Sequence, residues 1–177
     1  MAHSVLVVPI PGVEDFVVAR TRHYDASFLS ADPRFVHAHL TLLGPWIPQP
    51  AEADLDVVAE IAAAAEPFEY QLDEVAVFPD GIIHLVPDPA GPFAELTKAL
   101  VAAFPAHPPY GGAFPDSPPH VTFEREAPGI TAGSVRAELA GVLPVTARAE
   151  RIDLQWWDND DCHVMASWPL GSKWAER

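Results

Sequence analysis

"HLTLLG", residues 39–44, starts on a histidine, places a threonine two positions later and runs out through leucine to glycine. "HVTFER", residues 120–125, repeats the His-x-Thr arrangement 81 positions further along. Both read as short β-strands, on which residues two apart project from the same face. Each imidazole therefore travels with a hydroxyl, and the pair His39 and Thr41 matches the pair His120 and Thr122. With eight histidines and six threonines in 177 residues, chance supplies about 0.3 such tripeptides, so two copies are only a weak excess. Their places in the chain carry the weight.

Working outward from the first copy, "SVLVVP" upstream is an apolar strand, and "VEDFVVARTRHYD" sets Phe16, Val17, Arg20 and Tyr24 at helical spacing. Downstream, "AEADLDVVAEIAAAAEP" aligns Leu55, Val58, Ala62 and Ala65 on one helical face and stops before Pro67. "FEYQLDEVAVFPDGIIHLVPD" then predicts two strands around a Pro-Asp-Gly turn. The second copy has similar surroundings. "GPFAELTKALVAAFP" carries a Phe93, Leu96, Leu100 and Phe104 stripe, and "HPPYGGAFPDSPP" is a Pro- and Gly-rich loop. After the strand come a helix in "TAGSVRAELAGV" and a strand pair, "VTARAERIDLQWW" and "CHVMASWPL", joined by "DNDD". Each half thus runs helix, His strand, helix, hairpin, an internal repeat of about 80 residues in element order. The expected fold is α+β, with two pseudo-symmetric lobes whose antiparallel sheets flank a central cleft. The two histidine strands would face each other across it.

Composition narrows the function classes. Hydrophobic residues make up 49% of the chain, enough for a core in a single bilobal domain spanning 1–177. Ten Lys and Arg against 25 Asp and Glu leave a net charge of −15, which argues against a broad grip on duplex DNA or on anionic lipid. One cysteine, Cys162, rules out an internal disulfide and a Cys-rich zinc site. The N-terminal apolar run has no basic flank and contains Pro9, so it reads as a strand rather than a signal peptide. No stretch approaches the apolar length of a membrane span. A cytoplasmic monomer is expected.

"HLTLLG" and "HVTFER", 81 residues apart in a two-lobed α+β chain of this length, resemble the paired motifs of the 2H phosphoesterase superfamily, in particular its 2'-5' RNA ligase-like branch. Arg125 matches a basic residue often found three positions after the second threonine in that branch, whereas Phe123 replaces a more usual leucine. The resemblance implies a metal-independent, cofactor-free cyclic phosphodiesterase or ligase-like enzyme. Its substrate would be a small nucleotide or RNA end with a 2',3'-cyclic phosphate or 2'-5' linkage. Glu124, Glu126 and the acidic balance count against long RNA.

The chemistry also follows from the residues. Cleaving a cyclic phosphodiester needs a base to take a proton from water and an acid to protonate the departing ribose oxygen, and two imidazoles can share those roles. His120 is assigned as base and His39 as acid, exchanging with reaction direction. Thr41, Thr122 and Arg125 are the candidate phosphate-binding groups. Trp46 and Tyr110 are candidate substrate contacts through base stacking, or else loop anchors. His37 shares the face of His39 and is expected at the cleft mouth. Two further readings stand beside the enzyme. One is a pocket that only binds a phosphorylated ligand, and the other a histidine metal site of His37 and His39 with His120 or His163. His3, His23, His84 and His107 have no matched partner and read as structural or surface groups.

Overall fold

The computed structural model describes residues 2–114 and 117–171. Strand β1, His3–Pro9, leads through a short 3-10 turn into helix α1, Glu14–Asp25, and then strand β2, His39–Leu43. Helix α2 (Glu52–Ala64), the hairpin β3 (Phe68–Val77) and β4 (Ile82–Asp88), and helix α3 (Gly91–Ala103) follow. Strand β5 (Val121–Arg125), helix α4 (Ala132–Glu138) and strands β6 (Val145–Ala149), β7 (Arg151–Trp157) and β8 (His163–Pro169) complete the order. The helix faces match the periodicity: Val58 and Ala62 of α2 are buried, as are Phe93, Leu96 and Leu100 of α3. At the β3–β4 turn Gly81 has φ +87°, where a Cβ would be strained.

The strands form two four-stranded antiparallel sheets, ordered β2-β1-β7-β8 and β5-β4-β3-β6. In each sheet the histidine strand is at one edge. The hairpin expected beside each histidine strand joins the opposite sheet instead, β3–β4 with β5 and β7–β8 with β2. The stretch read as one strand, 145–157, divides at Glu150 between the two sheets. Helices α1 and α3 also cross over: α1 packs on β5 and α3 on β2. Phe16 of α1 meets Phe123 of β5 at 5.1 Å between ring centroids. One hydrophobic cluster consequently runs through both lobes, from Leu6 and Leu40 to Leu85 and Val121, and it holds the histidine strands against each other. Among the described residues no helix is long and apolar enough to cross a membrane.

Candidate active site

His39 begins β2 and His120 immediately precedes β5. Each ring bonds the carbonyl two residues behind it, His39 Nδ1 to His37 O at 2.7 Å and His120 Nδ1 to Pro118 O at 2.8 Å. A carbonyl only accepts, so Nδ1 carries the proton and the neutral ring keeps a bare lone pair on Nε2. The two lobes thus prepare the same tautomer twice.

A second symmetry explains where the threonines point. Pairing of β2 with β1 steps from Leu43 opposite Leu6 to Thr41 opposite Val7, leaving Leu42 unpaired. Pairing of β5 with β4 steps from Glu124 opposite Ile83 to Thr122 opposite His84, leaving Phe123 unpaired. Both bulged residues directly follow the threonine. A bulge resets the two-residue alternation, so residues three apart, Thr122 and Arg125 or Thr41 and Gly44, come to the same side. Thr122 and Arg125 line a cavity of about 670 Å³ with His120, Phe78 and Phe114. Thr41 and Gly44 line a second, of about 560 Å³, with His39 and Trp157.

At the position of Arg125 the first lobe has glycine. A Cβ on Gly44 would lie 2.7 Å from Val5 Cγ2, so any side chain there must displace Val5, and the first lobe offers no counterpart of Arg125 at this position. Arg125 itself donates to the Asp80 carbonyl at 2.7 Å and remains largely exposed. Tyr110 lines both cavities. Its amide donates to Gly44 O at 2.7 Å and its φ is +53°. Burial pushes its hydroxyl's pKa up, and the left-handed backbone is held by the bond to Gly44.

Burial dominates the electrostatics. It pushes His39 down to about 4, with the charges of His37 and His120 adding to the effect. His120 is also lowered, first by burial, and His84 adds to it. His84, read as structural or surface from sequence, is 3% exposed. It stacks on Phe78 at 3.8 Å and stands 5.5 Å from the His120 ring. Trp157, which sequence reasoning missed, stands 5.4 Å from the His39 ring. Neither carries a local signal, because hairpin pairing brings both to the site.

One expected substrate contact is corrected in position. His37 is not at the cleft mouth: it is buried, with Nδ1 2.7 Å from Glu14 Oε1 and Nε2 accepting from the Ser30 amide at 3.0 Å. Both ring nitrogens are engaged, so His37 offers no metal lone pair. Trp46 is 2% exposed and packs edge-on against Phe104 at 5.0 Å, as a loop anchor would, and it borders the His39 cavity. Tyr110 stays at the cleft. Of the metal candidates, His163 donates to Asp161 at 3.0 Å. Among the described residues no group of three or more His, Cys, Asp or Glu is placed to hold a metal ion.

Residues 9–161 match the family described as the 2'-5' RNA ligase superfamily. The chain belongs to that superfamily. None of the curated proteins compared matches it. Among solved structures, this superfamily member is similar to TT0787 of Thermus thermophilus, at 19% identity and TM-score 0.59 over 98% of this chain and 100% of that one. It is similar to E. coli LigT complexed with 3'-AMP at 15% identity and TM-score 0.58, over 96% of this chain and 98% of LigT. A structure described as a phosphoesterase gives 14% and 0.57 over the same shares. At such identities the likeness shows the fold, two lobes with paired sheets, and the chemistry must come from the residues.

Proposed function

We propose that this protein is a phosphodiesterase that acts on a small nucleotide bearing a 2',3'-cyclic phosphate or a 2'-5' linkage, using two histidines and no metal. The observation that carries the reading is the matched pair of rings, each donating Nδ1–H backwards and leaving Nε2 bare, at the starts of two edge strands that pack against each other. In the hydrolytic direction one Nε2 takes a proton from water as its oxygen attacks phosphorus. The bond to the departing ribose oxygen then breaks, and that oxygen takes a proton from the other imidazole. Thr41 and Thr122 donate to the non-bridging oxygens and Arg125 adds a fixed positive charge, where transition-state charge grows.

Burial alters the allocation reached from sequence. His39, held at about 4, is neutral at pH 7 and is assigned here as the resting proton acceptor, with His120 the donor. Bound phosphate brings a negative charge that favours the imidazolium on His120. LigT has been crystallised with 3'-AMP, ATP and NADP+, which supports a nucleotide of modest size, and the net charge of −15 disfavours a long polyanion. The working unit is taken to be one bilobal monomer.

The test is turnover of nucleoside 2',3'-cyclic phosphates and 2'-5' dinucleotides, with EDTA present, by wild type, His39→Ala and His120→Ala. Product from wild type alone is expected. Ligand binding without product in all three proteins would reassign the cleft to binding, and loss of wild-type turnover to EDTA would reassign it to metal chemistry.

A further inference from the structure

The two catalytic rings are oriented by identical bonds, but the carbonyls that accept them are held in different ways. In the second lobe the acceptor is Pro118 O, in a peptide whose nitrogen belongs to Pro119 and carries no hydrogen. The two proline rings fix the local backbone there. In the first lobe the acceptor is His37 O, in the peptide that joins His37 to Ala38. That peptide has an N–H, and the N–H has a partner.

The partner is Glu14, in the first turn of α1 and 23 residues from His37 in sequence. Its Oε2 accepts from the Ala38 amide at 2.7 Å, and its Oε1 accepts from the His37 amide at 3.0 Å and from His37 Nδ1 at 2.7 Å. The peptide unit is planar and trans, so its N–H and C=O point in opposite directions from one rigid plate. Fixing the Ala38 N–H on Glu14 therefore turns the His37 carbonyl the other way, toward the His39 ring. The second amide bond and the His37 ring keep the carboxylate from pivoting.

We infer that Glu14 is a positioning residue for His39: through the 37–38 peptide it aims the carbonyl that holds Nδ1–H and so keeps Nε2 in the cleft. The catalytic side of this inference rests on the proposed two-histidine reading, but the geometric side does not. Gln at position 14 is the informative change. One amide oxygen can serve one N–H, but the amide nitrogen would set its own hydrogens against the other, and the plate would lose one of its two fixings.

The experiment is ¹⁵N NMR of the histidine rings in wild type and Glu14→Gln, with steady-state kinetics on the same samples. The wild type is expected to show His39 as the pure Nδ1–H tautomer. Glu14→Gln should show a mixture at His39 and an unchanged His120. Its kcat should fall about tenfold or more, the range for groups that orient a functional histidine from behind, with KM within about twofold. A His39 ring still locked in one tautomer, or equal disturbance at His120, would overturn the inference. Because the ring signal needs no turnover, an inactive wild type with a released ring in the variant would sink the catalytic reading and leave the clamp standing. Should Glu14→Gln not fold, Glu14→Ala gives the same readout. In the wild type itself, rapid hydrogen exchange at the Ala38 amide would also overturn it.

Discussion

The depression of His39 to about 4 makes a prediction about the pH dependence of kcat/KM that is large enough to measure easily. An ordinary histidine, near 6.5, is only about 3% neutral at pH 5, whereas one at about 4 is about 90% neutral, roughly a thirtyfold difference in the fraction able to accept a proton. The acid limb of the free-enzyme profile should therefore fall near pH 4. His120 must be protonated to act as donor and is also lowered by burial, so the basic limb should begin below 6.5 and the bell should peak on the acid side. The assay is subsaturating turnover of a 2',3'-cyclic nucleotide from pH 3.5 to 8 at constant ionic strength. Trp157→Ala supplies the perturbation, because that ring stands 5.4 Å from His39 and lines its cavity. Admitting water there should move the acid limb upward toward 6.5. A wild-type acid limb already at 6 to 6.5, or one unmoved by Trp157→Ala, would refute the argument from burial. The same shift acts on folding. A histidine lowered in the native state contributes stability that is full above about 6.5 and is lost as pH falls toward about 4.

Thr122→Val removes a hydroxyl donor from the His120 cavity while keeping a β-branched side chain, and kcat should fall about a hundredfold or more, as for loss of one oxyanion donor; single-turnover kinetics read it. Gly44→Ala places a methyl group 2.7 Å from Val5 Cγ2 and should cost about 1–3 kcal/mol by chemical denaturation. Asp32 is held at about 2, chiefly by the Arg34 side chain and amide and also by the Val164 amide. Its stabilisation is present above the ordinary carboxylate range and lost as pH falls toward about 2. Asp32→Asn should lower stability by about 1–3 kcal/mol at pH 7, with the difference from wild type vanishing in strong acid.

What could be read from sequence was whatever a local period or a local motif encodes. The α3 stripe of Phe93, Leu96 and Leu100 is a 3.6-residue pattern, and both His-x-Thr tripeptides are contiguous, so the fold class and the paired motifs were legible. The sheet partners were not. Which hairpin joins which histidine strand depends on where the chain crosses between the sheets, once between β2 and β3 and again at Glu150, and nothing at Glu150 marks the crossing. Glu14 was invisible for the same reason, since 23 residues separate it from His37 and an acid in a first helical turn has an ordinary explanation in the helix dipole. One signal was present and unused. In "VTFER" the apolar alternation of Val121 and Phe123 breaks at Glu124–Arg125, which is how a bulge looks in sequence, and it explains why the cation falls three positions after Thr122 rather than two. His37 was misplaced because strand alternation was extended backwards beyond β2, which begins only at His39.

The central claim is that His39 and His120 act as one unit on one phosphorus. The most direct measurement is a double-mutant cycle on kcat with His39→Ala, His120→Ala and the double variant, under substrate saturation. A functional unit is lost with its first member, so the double variant is predicted to turn over no more slowly than either single variant. Losses that multiply, or a single variant that keeps most of the wild-type rate, would contradict it.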